Sequence, residues 1–219
     1  MLKPHVVRRA RAHLQRVDPV LARVMKQVGP YRPGQRTSGS HLHSLVRAIV
    51  FQQLSGKAAT TILNRYLALF PSGEATAELI LAKSDAEMRA VGLSRQKISY
   101  MRDLATKVHE GALPLDHVHT LGDAELIEHL VQVKGIGKWT AQMFLMFKLG
   151  RPDVLPDLDL GIQNAIKKAY NKRKVRPKDV LRIGAKWSPY SSIACWYLWR
   201  SLDNGDGQLG DEKKKKRKS

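Results

Sequence analysis

The chain has 219 residues and a mass of 24.6 kDa, room for one large domain or two small ones, and its 43% hydrophobic content excludes wholesale disorder. A single cysteine, Cys195, excludes an internal disulfide and a four-thiolate site, and no apolar run approaches the ~18 residues of a membrane span or reads as a secretory signal. Lys and Arg outnumber Asp and Glu 38 to 19, so the expected partner is a polyanion; nucleic acid, ribosomal RNA or an anionic membrane would all satisfy a net charge of +19.

In chain order the pattern is helical almost throughout. Residues 1–40 are a basic segment, nine Lys and Arg against one acid, read as a helix followed by the turn-rich Gly29-Pro30-Tyr31-Arg32-Pro33-Gly34. Leu42, Leu45, Val46, Ile49 and Val50 then mark one apolar helical face. After a break at Ser55-Gly56 the pattern resumes with Ile62, Leu63, Tyr66, Leu67 and Phe70, and Pro71 stops it. Ser84 and Glu87 have capping-box spacing, and Gly92 closes the short helix that follows. A basic amphipathic helix runs on to Gly111, and Asp123 opens another that reaches about Val133. No alternating run is long enough for a strand of any size, so the fold class is all-α. From Gly205 onward the sequence GDGQLGDEKKKKRKS lacks apolar content and is expected to be a disordered basic tail, 205–219, which leaves 41–204 as the folded core.

Between two apolar helical patterns lies Val133-Lys134-Gly135-Ile136-Gly137-Lys138. Two glycines separated by one residue allow a tight turn whose amides can approach a phosphate unobstructed by Cβ atoms. The following helix turns its positive dipole end to the same anion, with Lys134 and Lys138 adding charge. About twenty residues on, Asp157 and Asp159 stand in Leu155-Pro156-Asp157-Leu158-Asp159-Leu160-Gly161-Ile162, where a helix is due to start. As an N-cap, Asp159 would stay ionised beside helix amides, a charged group available for chemistry. The plainer alternative is a cap with no chemistry.

The hairpin VKGIGKWTA with its following aspartate resembles the helix–hairpin–helix DNA glycosylase superfamily. Within it, the chain is most similar to the compact form of the alkylation-repair branch, the 3-methyladenine DNA glycosylase II type. IVFQQLSGKAA at 49–59, VGLSRQKISYMRDLA at 91–105 and KWSPYSSIACWYLW at 186–199 match in order, so the resemblance covers about 40–202. It implies two intimately packed helical subdomains with the active-site cleft between them. The activity implied is a monofunctional DNA N-glycosylase that flips out and excises alkylated purines of the 3-methyladenine and 7-methylguanine type from damaged double-stranded DNA, opening base excision repair.

Residue by residue, the resemblance makes Asp159 the catalytic acid, with Asp157 as the fallback. Trp139, Trp199 and Met143 would form the base pocket, while Trp187 and Trp196 read as core. Lys134, Gly135, Gly137, Lys138 and Thr140 would grip the DNA backbone. Gln53 would be the wedge that fills the stack, with Leu54 beside it. Relatives that also cut the strand carry a nucleophilic lysine where this chain has Trp139, so no lyase activity is expected. No cofactor is required; a structural Na+ or K+ at the main-chain oxygens of Val131, Val133 and Ile136 rests on the resemblance alone. His41/His43 and His117/His119 lack a third ligand nearby and are not read as zinc sites. The expected protein is a monomer with no membrane partner, working in the nucleoid-associated cytoplasm of a bacterium or the nucleus of a eukaryote. A rival reading keeps the fold and the basic surface but not the chemistry: a non-catalytic binder of distorted or branched DNA.

Overall fold

The computed structural model describes residues 3–34, 39–71 and 73–206, and every regular element in them is helical, as the sequence predicts. None of these helices is long and apolar enough to cross a membrane. The described residues fall into two compact units, one made of the chain up to residue 34 and from 150 onward, the other of 39–149.

The first unit holds α1 (Pro4–Val17), α2 (Pro19–Val28), α10 (Leu160–Ala169), α11 (Pro177–Gly184) and α12 (Ser191–Asp206). Its core joins Leu14, Leu21, Val24 and Met25 to Ile162, Ala165, Ile166, Ile193, Ala194 and Leu198, all buried. The basic N-terminal segment is therefore not an appendage to the 41–204 stretch; its apolar face is part of this core. Nor is it one helix. Asp18 breaks it by capping α2, its Oδ1 accepting from the amides of Val20 (3.0 Å) and Leu21 (3.1 Å), with Pro19 at the first helical position. The last helix, α12, runs to Asp206, two residues into the segment read as tail, and 207–219 lie outside the described residues.

The second unit holds α3 (His41–Phe51), α4 (Gly56–Leu67), α5 (Ala77–Ala82), α6 (Asp85–Ala90), α7 (Arg95–His109), α8 (Asp123–Val131) and α9 (Lys138–Met143). Here α7 is central: Ile98, Met101, Leu104 and Ala105 are buried among neighbours from α3, α5 and α6. Burying the Ile98, Met101 and Leu104 side chains gains ~1.5–3 kcal/mol each, which is what holds a long basic helix in the middle of a unit. The predicted capping box at Ser84 forms in both directions, with Ser84 N–H donating to Glu87 (2.8 Å) and Glu87 N–H to Ser84 Oγ (3.2 Å). The amide and hydroxyl of Ser84, with Lys83, hold the Glu87 carboxyl at about 2.

Candidate functional site

The hairpin links α8 to α9 through residues 132–137. Gly135 takes φ +80°, which only glycine adopts without strain, and a Cβ there would stand 2.2 Å from the Tyr100 ring on α7. Its freedom is thus required twice, by the turn and by the packing. Gly137 has ordinary backbone angles as the N-cap of α9, and a Cβ on it would meet nothing within 4 Å. Ile136 between them is buried, as the sequence suggested. Lys134 is exposed; its amide donates to Asp103 Oδ2 (2.8 Å) and its ammonium stands 4.0 Å from Oδ1. Lys138 opens α9 on the exposed side, and Thr140 follows at a half-buried position.

The second hairpin helix departs from expectation. It is α-helical only over Lys138–Met143 and continues with π spacing over Phe144–Leu149. The wider turn keeps Phe144, Leu145 and Met146 buried while Phe147 is left exposed, and such π segments recur at functional sites. Phe147 lines a cavity of about 360 Å³ within this unit, together with Arg47, Phe51, Gln53, Trp139, Thr140 and Met143. The structure thus brings Trp139, Thr140, Met143 and Gln53 to one cavity. Trp139 is 46% exposed, a large share for a tryptophan.

Gln53 is one of two non-glycine described residues in the left-handed region, at φ +56°. Such a backbone costs about 1–3 kcal/mol and persists only where neighbours impose it. The neighbours are identifiable. Lys97 of α7 donates from Nζ to the carbonyls of Val50 (2.7 Å) and Gln52 (2.8 Å), and Gln52 Nε2 donates to the carbonyl of Gly135 (2.8 Å). Desolvation pushes the Lys97 ammonium below its ordinary range. Leu54, next in the turn, is exposed.

In the other unit Asp159 is the N-cap of α10 and 8% exposed. Its Oδ1 accepts from the Ile162 amide (2.8 Å) and from Trp199 Nε1–H (2.9 Å). Gly161 permits the pairing, because a Cβ there would lie 3.0 Å from both Asp159 Oδ1 and Trp199 Cδ1. Asp157 is also buried; its amide donates to the Leu155 carbonyl (3.0 Å) and its carbonyl accepts from Gln163 Nε2 (3.0 Å). Leu158 and Leu160, on either side of Asp159, are exposed. Trp187 is fully buried and donates to Asp18 Oδ2 (2.8 Å), a core residue as the sequence suggests, whereas Trp196 stays half-buried, packed edge-on against Tyr31 and Tyr197.

At the end of α8 the bonds tighten, Gln132 N–H to His129 O (3.3 Å) and Val133 N–H to Leu130 O (3.1 Å), and the Val133 carbonyl accepts from Ile136 N–H (3.0 Å). Nδ1–H of His41 donates to the Leu115 carbonyl (2.9 Å), and the described residues hold no cluster of three His, Cys, Asp or Glu arranged for a metal ion. Sequence reasoning missed Lys97, Gln52, Arg47 and Phe147, since a lysine or phenylalanine inside a helical pattern carries no mark of its distant partner.

The family model described as HhH-GPD superfamily base excision DNA repair protein matches residues 46–189. DNA-3-methyladenine glycosylase 1 of Schizosaccharomyces pombe is 36% identical over 202 residues, covering 90% of this chain and 89% of its own. The solved structure of the 3-methyladenine DNA glycosylase of that organism in complex with abasic DNA superposes with a TM-score of 0.77 at 36% identity, over 88% of this chain and 95% of that one. The crystal structure of a DNA-3-methyladenine glycosidase from Bacillus halodurans gives 0.81 at 34% identity, over 95% of this chain and 92% of that one.

Proposed function

The chain belongs to the HhH-GPD superfamily of base excision DNA repair proteins, and from that membership we propose that it is a DNA glycosylase excising alkylated purines from damaged duplex DNA, without strand-cleaving activity. The observation that carries the reading is Asp159: a nearly buried carboxylate fixed by a helix amide and an indole N–H, at the position where this family's motif expects its acid.

Methylation at N3 or N7 makes a purine cationic and weakens its bond to the sugar. As the C1′–N bond breaks, its electron pair leaves with the base and positive charge grows on the sugar. The Asp159 carboxylate stabilises that charge and orients the water whose oxygen bonds to C1′, its proton passing to solvent. What supports Asp159 over Asp157 is its seat at the start of α10, where two donors orient one carboxylate oxygen. Trp199 positions that acid and offers a π face to a cationic base, a contact worth ~0.5–2 kcal/mol.

In the other unit the amides around Gly135 and Gly137, with Lys134, Lys138 and Thr140, hold the phosphate backbone. Gln53 enters the stack with Leu54 beside it, and Trp139 with Met143 supply apolar surface for a base. The open space at Gly137 supports this: neither φ nor internal packing requires a glycine there, whereas a closely approaching phosphate would. Carbonyl oxygens of Val131, Val133 and Ile136 are hard ligands of the kind that Na+ or K+ takes and would hold such an ion at the hairpin, adding positive charge near a phosphate. Where a lyase of this family needs an amine, Trp139 offers none, so no Schiff base forms. The protein acts as a monomer wherever the chromosome is kept.

The experiment is incubation with methylated duplex DNA. Free 3-methyladenine and 7-methylguanine are expected, faster than hypoxanthine from a matched neutral-lesion duplex. The strand should break only after alkali, and borohydride should trap no adduct. Specific binding of the duplex with no released base would favour the non-catalytic binder instead.

A further inference from the structure

The 91–105 motif contains the helix α7, which packs between the end of α3 and the hairpin. Three of its residues at three-residue spacing, Lys97, Tyr100 and Asp103, form a stripe along one side. Each meets an element assigned to DNA. Lys97 Nζ donates to the carbonyls of Val50 (2.7 Å) and Gln52 (2.8 Å), the end of α3 from which Gln53 projects. The Tyr100 ring fills the space that a Cβ on Gly135 would need, and Gln96 Nε2 donates to its hydroxyl (2.6 Å). Asp103 accepts from the Lys134 amide (2.8 Å) and is itself braced by Lys107 Nζ (2.8 Å). A direct strut, Gln52 Nε2–H to the Gly135 carbonyl (2.8 Å), closes the ring of contacts.

We propose that α7 is a positioning helix that sets the spacing between the Gln53 wedge and the phosphate-gripping hairpin, with Lys97 as its decisive residue; this rests on the DNA roles assigned above. The six helical steps from Lys97 to Asp103 span about 9 Å of helix axis, a rigid interval between the two elements. The C-terminal end of α3 is the negative end of its dipole, so an ammonium there is doubly suited. Two donated bonds pin the carbonyls on either side of Phe51, and the left-handed turn at Gln53 follows immediately. Without Lys97 the turn can relax to an ordinary conformation, and Gln53 leaves the direction set by the hairpin's hold on the backbone. Small misplacements of this kind cost rate steeply.

The test uses the full-length chain. Lys97→Met keeps the aliphatic stem and removes the donors, Lys97→Arg restores a cation able to reach both carbonyls, and Gln52→Met cuts the direct strut. Each variant is saturated with a duplex carrying a tetrahydrofuran abasic analogue beside 2-aminopurine, whose fluorescence rises as the stack opens. Each is also timed for 7-methylguanine release at saturating protein. Lys97→Met should lower both the fluorescence rise and the release rate by about ten-fold, with affinity for undamaged duplex kept within about three-fold, and Lys97→Arg should recover most of the loss. Should Lys97→Met fail to fold, Gln52→Met carries the same expectation. The fluorescence signal needs no base release, so a wild-type protein that opens the stack but frees no purine overturns the proposed activity and leaves the positioning role measurable. Wild-type fluorescence and rate in folded Lys97→Met and Gln52→Met overturn the proposal. So does a loss shared equally by the Arg variant and by affinity for undamaged duplex.

Discussion

Two donors converge on one oxygen of Asp159, the amide of Ile162 and the indole of Trp199, and this distinguishes it from an ordinary helix cap. A cap needs only the amide. The indole adds orientation from forty residues away, and Gly161 leaves the room for it. Asp159→Asn keeps an oxygen acceptor and the side-chain shape but removes the charge. It should abolish measurable base release, a fall of at least about a hundred-fold, while duplex affinity stays within about three-fold. Single-turnover release from methylated DNA and a binding titration check both halves. Retained activity would move the acid to Asp157. Trp199→Phe keeps the ring area and deletes the N–H, and about a ten-fold slower release at unchanged thermal stability is expected.

The hairpin separates two kinds of glycine. Gly135→Ala sets a Cβ against φ +80° and 2.2 Å from Tyr100, so it should destabilise the fold by about 2 kcal/mol or more, read by denaturant titration. Gly137→Ala meets no protein atom within 4 Å and should keep stability within about 1 kcal/mol. Its loss should appear instead in duplex affinity, at about ten-fold, because a methyl group there keeps a phosphate from the amides. Equal effects of the two substitutions would remove the argument that Gly137 serves a ligand.

The junction of α1 and α2 is a second element with a distinct test. Asp18 is fully buried, caps α2, accepts from Trp187 Nε1–H and Tyr170 O–H, and pairs with Lys186 (3.2 Å). Burial alone would raise its carboxyl, but the bonds from Tyr170, Trp187 and the Leu21 amide, with the Lys186 charge, outweigh it and hold the group below its ordinary 3.8. Asp18→Ala should cost about 3 kcal/mol near pH 7, since a cap is lost and two buried donors are orphaned. The sign of the pH dependence follows from the depressed value. The contribution is complete above the ordinary 3.8 and drains away as pH falls through the lower folded value. The stability gap between wild type and Asp18→Asn should therefore narrow in that acid window, measured by thermal melts across pH. A gap that widened there would contradict the sign.

A net charge of +19 over 219 residues acts on DNA before any single contact does. Six of those bases lie in 211–219, a segment outside the described residues. Deleting it should flatten the dependence of duplex affinity on salt, by up to about 5 in the log–log slope, because each neutralised phosphate contributes ~0.9. The identity of the released base should not change, since phosphate contacts carry no sequence or lesion information. A changed lesion preference would show that the tail does more than attract.

The order of amino acids was sufficient for whatever is encoded locally. The capping box at Ser84, the N-cap at Asp159, the stop at Gly111, the all-helical class and the hairpin with its following aspartate depend on residues within a turn or two of one another. It also sufficed for the family, because the motifs stand in the right order. Asp18-Pro19 was an available signal for a break in the N-terminal helix, hidden under the charge of that segment. Packing alone chose the partners that lie far apart in the chain. Lys97 meets carbonyls more than forty residues before it, Tyr100 excludes any Cβ from Gly135, and Tyr170 and Trp187 close over Asp18. A lysine, a tyrosine or an aspartate has the same donors and acceptors wherever it stands, and only the folded core determines which of them can meet. The left-handed turn at Gln53 belongs to the same class: glutamine shows no preference for it, and it exists because long-range bonds hold it there.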